Sequence, residues 1–272
     1  QNNLLMGASA ATSGTSLVSV GKSALFDGNT EYLDITNGTP TSTVIWSFSF
    51  WFYRAGAGGA NQYFVTDDDG SYFGILLGEA GEFEVIWDGS TNNYETTGIF
   101  YRDIGWYHAV VATDTSQAVA VNRLKVYING KQVTMTNTNT PVALNETTGI
   151  GTDGSKILVG TLSSSGPRLG FQGYMAETIF IDGTQSVPTD FGEFDSSGLF
   201  WTPKSSASIK ALTFGNNGFY LDNTTNAQTD ASGNGNNLTN NNSVTLSTNT
   251  PTNIEALPNI LQSWSAYMTL TN

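Results

Sequence analysis

IWSFSFWFYR, residues 45–54, decides the fold. Successive side chains of an extended strand point to opposite faces. Trp46, Phe48, Phe50 and Phe52 therefore fall on one side, and Ser47, Ser49, Trp51 and Tyr53 on the other. A period of two with four large aromatics on one side predicts a half-buried strand whose aromatic face belongs to a core.

The same pattern recurs outward from this run. Phe83, Val85 and Trp87 alternate with Glu82, Glu84, Ile86 and Asp88. Leu124, Val126 and Ile128 alternate with Lys125 and Tyr127 just before Asn129-Gly130, and Phe180-Ile181 leads into Asp182-Gly183. Asn-Gly or Asp-Gly pairs stand at 27–28, 37–38, 69–70, 88–89, 129–130, 153–154 and 182–183. These pairs supply the positive φ of tight turns. No long segment has a helical period. Short strands punctuated by such turns predict an all-β, two-sheet antiparallel sandwich.

Charged residues are only 12% of the 272, so solubility rests on Ser, Thr, Asn and Gly. The net charge of −13 argues against nucleic acid, whose phosphates demand Lys and Arg, and against anionic membranes. It suits cation binding or contact with neutral glycans. With no cysteine there is no disulfide framework and no thiolate metal site. No apolar run approaches the ~20 residues that span a bilayer, so membrane insertion is not expected. Gln1-Asn2-Asn3 opens neither a basic nor a long apolar leader. Three parts are expected: an N-terminal arm, 1–16; the sandwich, 17–195; and a largely irregular C-terminal extension, 196–272, packed on the sandwich or on a neighbouring subunit. Residues 223–253 are dominated by Asn, Thr, Ser and Gly and offer little apolar area.

The order of the strand motifs resembles laminin-G-like (concanavalin-like) domains. Ala24-Leu25-Phe26-Asp27-Gly28 with Tyr32-Leu33 is similar to their first core strand, and Trp46 to Trp51 to the second. Gly105-Trp106-Tyr107-His108-Ala109-Val110 resembles the W-x-H strand, and Leu124 to Lys131 the hairpin that ends on Asn-Gly. Gly173 to Glu177 resembles the last core strand. The resemblance covers roughly residues 17–185 and implies a jelly-roll sandwich.

A narrower resemblance runs along nearly the whole chain. Asn3-Leu4-Leu5-Met6-Gly7, Phe180-Ile181-Asp182-Gly183, Pro188 to Glu193, Trp201-Thr202-Pro203-Lys204, Asn217 to Asp222, Asp230 to Asn236 and Thr250 to Asn253 carry it. These segments resemble virion, tail-fibre or appendage proteins of tailed bacteriophages, marine ones especially. The resemblance implies a non-enzymatic structural protein on the virion surface. Its partners would be other virion proteins and further copies of itself, with a trimer among the forms open to it. Its ligand would be host-surface carbohydrate. A capsid-decorating or cementing protein without a ligand is the second reading, and a glycan-cleaving enzyme the third.

Each candidate site has a plainer reading beside it. The sole histidine, His108, sits in an alternating strand, which favours packing over a triad. Glu82 and Glu84 share a strand face at the ~6.5–7 Å backbone spacing of i and i+2, within side-chain reach of the ~5–5.5 Å that retaining glycosidases use. Ile86 interrupts the carboxylate face, however, and a solvated outer face is the better reading. Asp67, Asp68 and Asp69 before Gly70 could hold calcium, which takes several hard oxygen ligands. They equally describe an acidic hairpin loop. Asp230 opens a D-x-S-G-N-G-N segment common in laminin-G-like proteins, and with Asp222 it is a second calcium candidate or a simple turn. Trp51 and Tyr53 lie opposite the core face of their strand and could stack on sugar rings, or be covered by the N-terminal segment or a subunit. Asn-x-Ser/Thr at Asn37, Asn145, Asn223, Asn237 and Asn241 is what chance gives in so Asn- and Thr-rich a chain.

Overall fold

The structure, a computed structural model, describes residues 18–253 apart from 57–58, 69–72, 88–91, 97–98, 100, 102–104, 138–140 and 164–165. The N-terminal arm, Asp69, Asp88 and residues 254–272 thus lie outside the described residues.

In chain order the strands begin β1 (Ser23–Asp27), β2 (Tyr32–Thr36), β3 (Ile45–Arg54), β4 (Gln62–Asp67), β5 (Gly74–Leu77) and β6 (Phe83–Trp87). They continue β7 (Asn92–Thr96), β8 (Tyr107–Asp114), β9 (Leu124–Ile128), β10 (Lys131–Gln132), β11 (Met135–Asn137) and β12 (Lys156–Val159). The rest are β13 (Gln172–Asp182), β14 (Gly192–Phe194), β15 (Trp201–Pro203), β16 (Phe219–Leu221), β17 (Thr239–Asn241) and β18 (Thr245–Ser247), with a short helix α1 (Ser206–Lys210) between β15 and β16.

The first sheet has the order β10-β9-β8-β3-β13-β1-β18, with β16 also paired to β13. The second has the order β11-β7-β6-β5-β4-β12-β2-β17. β14 and β15 form a separate ribbon. The fold is an all-β antiparallel sandwich, as the alternation predicts.

The two inner faces meet in a core dense in aromatic rings. Trp46, Phe48, Phe50 and Phe52 of β3 are all buried. Phe50 and Phe52 pack on Phe64 at ring-centroid distances of 5.0 and 4.8 Å. Trp46 lies edge-on to Phe73 at 5.0 Å and parallel to Trp87 at 6.1 Å. Phe83, Val85 and Trp87 face inward from β6, as their alternation requires.

Residues past 195 build strands into both sheets. β16 pairs with β13, β18 with β1, and β17 with β2. Side-chain amides and carboxylates order this polar stretch where apolar burial cannot. Asp230 accepts hydrogen bonds from the backbone N–H of Tyr220, Ser232 and Asn236 at 2.8–2.9 Å. Asn234 and Asn236 both donate to the Gly218 carbonyl at 2.9 Å. Asn240 closes a two-way bond with the backbone of Val244, and Asn241 donates to Asp34.

Candidate functional site

The outer face of the first sheet holds the polar-side residues of β3, and three different surroundings divide it. At one end Val110, Ala112, Ile179 and Ile181 point outward and are covered by Phe191, Ile209, Phe214 and Tyr220. The segment from the 3-10 turn Pro188–Asp190 through α1 thus lies on the sheet as a second small core.

In the middle, His108 of β8 stands opposite Trp51 of β3. Their rings stack at 4.8 Å and 29°. Trp201 of β15 donates its Nε1–H to His108 Nδ1 at 3.0 Å. Nδ1 must therefore be the unprotonated nitrogen, so Nε2 carries the hydrogen and donates to Ser49 Oγ at 2.8 Å. With its one acceptor nitrogen occupied by Trp201, the ring cannot take a proton from Ser49, so Ser49 and His108 do not make a nucleophile–base pair. Burial pushes the imidazole pKa down to about 3. His108 is a packing residue, in line with its place in an alternating strand. Trp51 is only 4% exposed, enclosed by Val20, Ala176, Trp106 and Trp201.

At the other end a row of half-buried side chains crosses four adjacent strands. Tyr53 pairs with Tyr174 of β13, and Tyr174 with Leu25 of β1. Trp106, directly before β8, completes the row on the far side of Tyr53. Ring centroids are 5.9 Å apart for Tyr53–Trp106 and Tyr53–Tyr174, and 6.4 Å for Trp106–Tyr174. Asn249 borders the row and accepts from Trp106 Nε1 at 3.2 Å. Of the two aromatics singled out in the sequence, the structure leaves Tyr53 in a partly open surface and places Trp51 beneath cover. Sequence reasoning missed Trp106 and Tyr174 as site residues, although both sit in the laminin-G-like motifs. Tyr174 lies next to the core-facing Met175, and Trp106 is two residues from the outward His108, so alternation could have found both.

The aspartates are dispersed. Asp67 is buried, and its oxygens accept from the backbone N–H of Phe73 at 3.0 Å and Gly149 at 2.8 Å, joining two loops. Asp68 is exposed. Asp222 pairs with Lys210 at 3.3 Å and accepts from Thr224. Asp230 is spent on the turn described above.

The carboxylates that do converge are Glu82, Glu84 and Glu95. Their oxygens lie within 4.8 Å of one another, the sole such group of three among the described residues. The sequence placed Glu82 and Glu84 on one face and preferred a solvated one, but Glu84 is buried. The register puts it between Leu76 and Glu95, over Gly78, where a Cβ would come within 2.0 Å of Glu84 Oε1. Glu95 comes from the next strand, which no local spacing reveals.

A third polar feature lies on the covered part of the first sheet. Glu177 sits in the bulge between Ala176 and Ile179 with φ 51°. Its buried carboxyl accepts a short hydrogen bond from the Tyr220 hydroxyl. Burial raises its pKa to about 7, against the lowering pull of that hydroxyl.

Comparison with known proteins agrees with this architecture. Among solved structures, a protein from Bacteroides ovatus ATCC 8483, provisionally assigned as carbohydrate-binding, matches with a TM-score of 0.60 at 15% identity. The match covers 86% of this chain and 62% of that one, so the chain spans less than two thirds of its length. The heptameric SAP-like pentraxin of Limulus polyphemus matches with a TM-score of 0.46 at 12% identity, over 62% of this chain and 80% of that one. Domain 4 of the arabinanase AbnA from Geobacillus stearothermophilus, solved with arabinotriose, gives 0.45 at 18%, over 65% and 80%. At 15% identity the first of these is a likeness of fold alone. No curated protein sequence matches the chain. A laminin-G-type family model matches residues 27–186, the span from the end of β1 past the end of β13, and the chain therefore belongs to the concanavalin A-like lectin/glucanases superfamily.

Proposed function

We propose that this protein is a non-catalytic carbohydrate-binding component of a bacteriophage virion surface, a head or tail appendage that adheres to host glycans. The observation that carries the glycan reading is the Trp106–Tyr53–Tyr174 row. Aromatic rings present apolar faces with polar tips, which suits the apolar C–H faces and hydroxyl rims of sugars, and Asn249 supplies a polar border. The acidic, Lys-poor composition favours a neutral glycan. The provisional assignment of the Bacteroides ovatus protein points the same way. The virion reading is supported by the motif resemblance from Asn3-Leu4-Leu5-Met6-Gly7 through Thr250 to Asn253. In this reading the chain is present in many copies on the particle, and avidity turns weak single contacts into firm attachment.

A glycan array with the full chain tests the binding, with Trp106→Ala and Tyr53→Ala as controls. Binding to a neutral polysaccharide that both variants lose at unchanged Tm is the expected result. An array on which the wild-type protein binds nothing refutes the reading in favour of a purely structural decoration. Release of reducing ends from a bound polysaccharide, abolished by Glu84→Gln, would instead make the protein a hydrolase acting through the Glu82, Glu84 and Glu95 cluster. Labelled particles in the electron microscope test the location.

A further inference from the structure

The segment that covers Val110, Ala112, Ile179 and Ile181 is tied to the first sheet at a polar point as well as by its apolar side chains. That point is Glu177. Between Ala176 and Ile179, β13 carries one residue more than β3, and Glu177 stands in the resulting bulge in the left-handed region, at φ 51°. A residue with a Cβ adopts that conformation only at a cost, and a bulge re-aims the side chain it carries. Here it brings the Glu177 carboxyl to the Tyr220 hydroxyl, to which Ser206 of α1 also hydrogen-bonds. A second link joins α1 to the residue after β16, from Lys210 to Asp222 at 3.3 Å. Both polar links of α1 to the sheet therefore end at a carboxyl.

The charges do not balance when both carboxyls are ionised. Glu177 and Asp222 are both buried, and the Asp222 charge reaches Glu177. Among the described residues Lys210 is the one cation acting on Glu177, and its side chain is 44% exposed. Two enclosed carboxylates facing a single half-solvated ammonium are unfavourable, so one of them keeps its proton. Asp222 holds the ion pair and accepts from Thr224. The proton falls to Glu177, whose pKa burial pushes up to about 7. Two other titratable side chains belong to this outer face. Tyr127 of β9 packs against the small core, and burial raises its pKa further from neutrality. His108 of β8 is held by Trp201, outside α1.

We propose that the Glu177 carboxyl is a proton-operated latch for α1. In its neutral form it holds Ser206–Lys210 on the first sheet through Tyr220. In its ionised form it lets α1 lift, which takes Ile209 out of the cluster with Val110, Ala112, Ile179 and Ile181. The closed form keeps between pH 4.5 and 7 a proton that the lifted form has released. Lifting therefore becomes easier as pH rises across that window and levels off above it.

Residue-resolved amide hydrogen exchange of the full chain at pH 5.5 and 7.5, divided by the intrinsic rate at each pH, tests the latch. The N–H groups of Ile209 and Leu212 are bonded to the Ser205 and Ile209 carbonyls and report lifting of α1. Their opening equilibrium is expected to rise about 20-fold between the two pH values, while the amides of β3 and β8 change far less. Glu177→Gln keeps an acceptor for Tyr220 but cannot titrate, and its opening is expected to be the same at both. Lys210→Met removes the ammonium and should move the midpoint of the rise to higher pH. A merely structural Lys210 would change the extent of opening and leave the midpoint in place, which overturns the proposal. Opening at Ile209 and Leu212 that does not change with pH overturns it, as does a rise that Glu177→Gln retains. A rise of equal size in β3 and β8 overturns it too, because the whole sandwich then opens and α1 has no motion of its own.

Discussion

Replacing Glu177 by Gln should expose a pH dependence of stability that the wild-type protein conceals. Two buried groups titrate abnormally near neutral pH, and they act in opposite directions. His108 is 1% exposed, and burial lowers its pKa from 6.5 to about 3. Between pH 6.5 and 4.5 the unfolded chain takes up a proton there that the native chain refuses, so stability falls as pH falls. The slope starts at about half of its limiting ~1.4 kcal/mol per pH unit at pH 6.5, where the unfolded histidine is half protonated, and rises toward that limit, for a loss of about 2.3 kcal/mol over those two units. Glu177 has its pKa raised from 4.5 to about 7. Across most of the same window the native chain holds a proton on Glu177 that the unfolded chain has released. That contribution is fully present below pH 4.5 and is lost as pH rises through 7, so it grows as pH falls and offsets His108 at comparable size. Protonating His108 would also set an Nδ1–H against the Trp201 N–H that now donates to it.

Urea unfolding at pH 6.5 and 4.5 reads this directly. The wild-type protein is expected to be nearly equally stable at the two values. Glu177→Gln keeps the side-chain volume and an acceptor for Tyr220 but cannot titrate. It is expected to lose about 2–3 kcal/mol between pH 6.5 and 4.5. The double variant with His108→Gln should be flat again. A flat Glu177→Gln profile would refute the reasoning, because it would mean that His108 titrates alike in both states and is not held neutral by burial.

Other perturbations are sized by packing. Phe52→Ala removes a ring that contacts Phe64, Phe83, Tyr107 and Phe171, and should cost about 3–5 kcal/mol in chemical denaturation with the m-value unchanged. Gly130 has φ 77°, and a Cβ there would stand 2.4 Å from Trp201, so Gly130→Ala should cost more than the ~1 kcal/mol of the backbone alone and alter the near-ultraviolet signal of Trp201. Asp230→Ala strands the N–H groups of Tyr220, Ser232 and Asn236 and should lower stability by about 2 kcal/mol or more, with hydrogen exchange fastest around β16.

The sandwich was legible because each strand announces its inner face locally. The alternation in residues 45–54 and 83–87 alone assigns Trp46, Phe52 and Trp87 to the core, and the Asp-Gly and Asn-Gly pairs mark the corners. Partners across strands are not written locally. Glu95 joins Glu82 and Glu84 only through the β6–β7 register, and Trp201 reaches His108 from 93 residues away. Burial of Trp51 was one of two readings that alternation left open, because it depends on Val20 and Trp201. The Asn-rich stretch was hard to place for a different reason. Its order comes from side-chain amides bonding to carbonyls of specific loops, and composition records only that such amides are numerous. Asp67 is singled out by its run of carboxylates and Asp230 by its D-x-S-G-N-G-N segment, and neither pattern shows the backbone N–H groups of Phe73, Gly149 and Tyr220 that approach them.

The strands that flank β1 and β2 on their outer sides come from the final fifth of the described chain. β18 pairs Ser247 with Ser23 of β1, and β17 lies along β2. On the ribosome, β1 and β2 therefore emerge long before these outer partners, which lie more than 200 residues behind them. Until β17 and β18 arrive, each strand presents an open hydrogen-bonding edge. Pairings this remote must be reached after most of the chain has collapsed, which makes folding slow and late in synthesis. A ribosome that stalls near residue 200 would release a product with the outer edges of both β1 and β2 unpaired, a template for aggregation. Overproduction of this protein should accordingly respond more to the rate of elongation and to the supply of chaperones than to the stability of the finished sandwich.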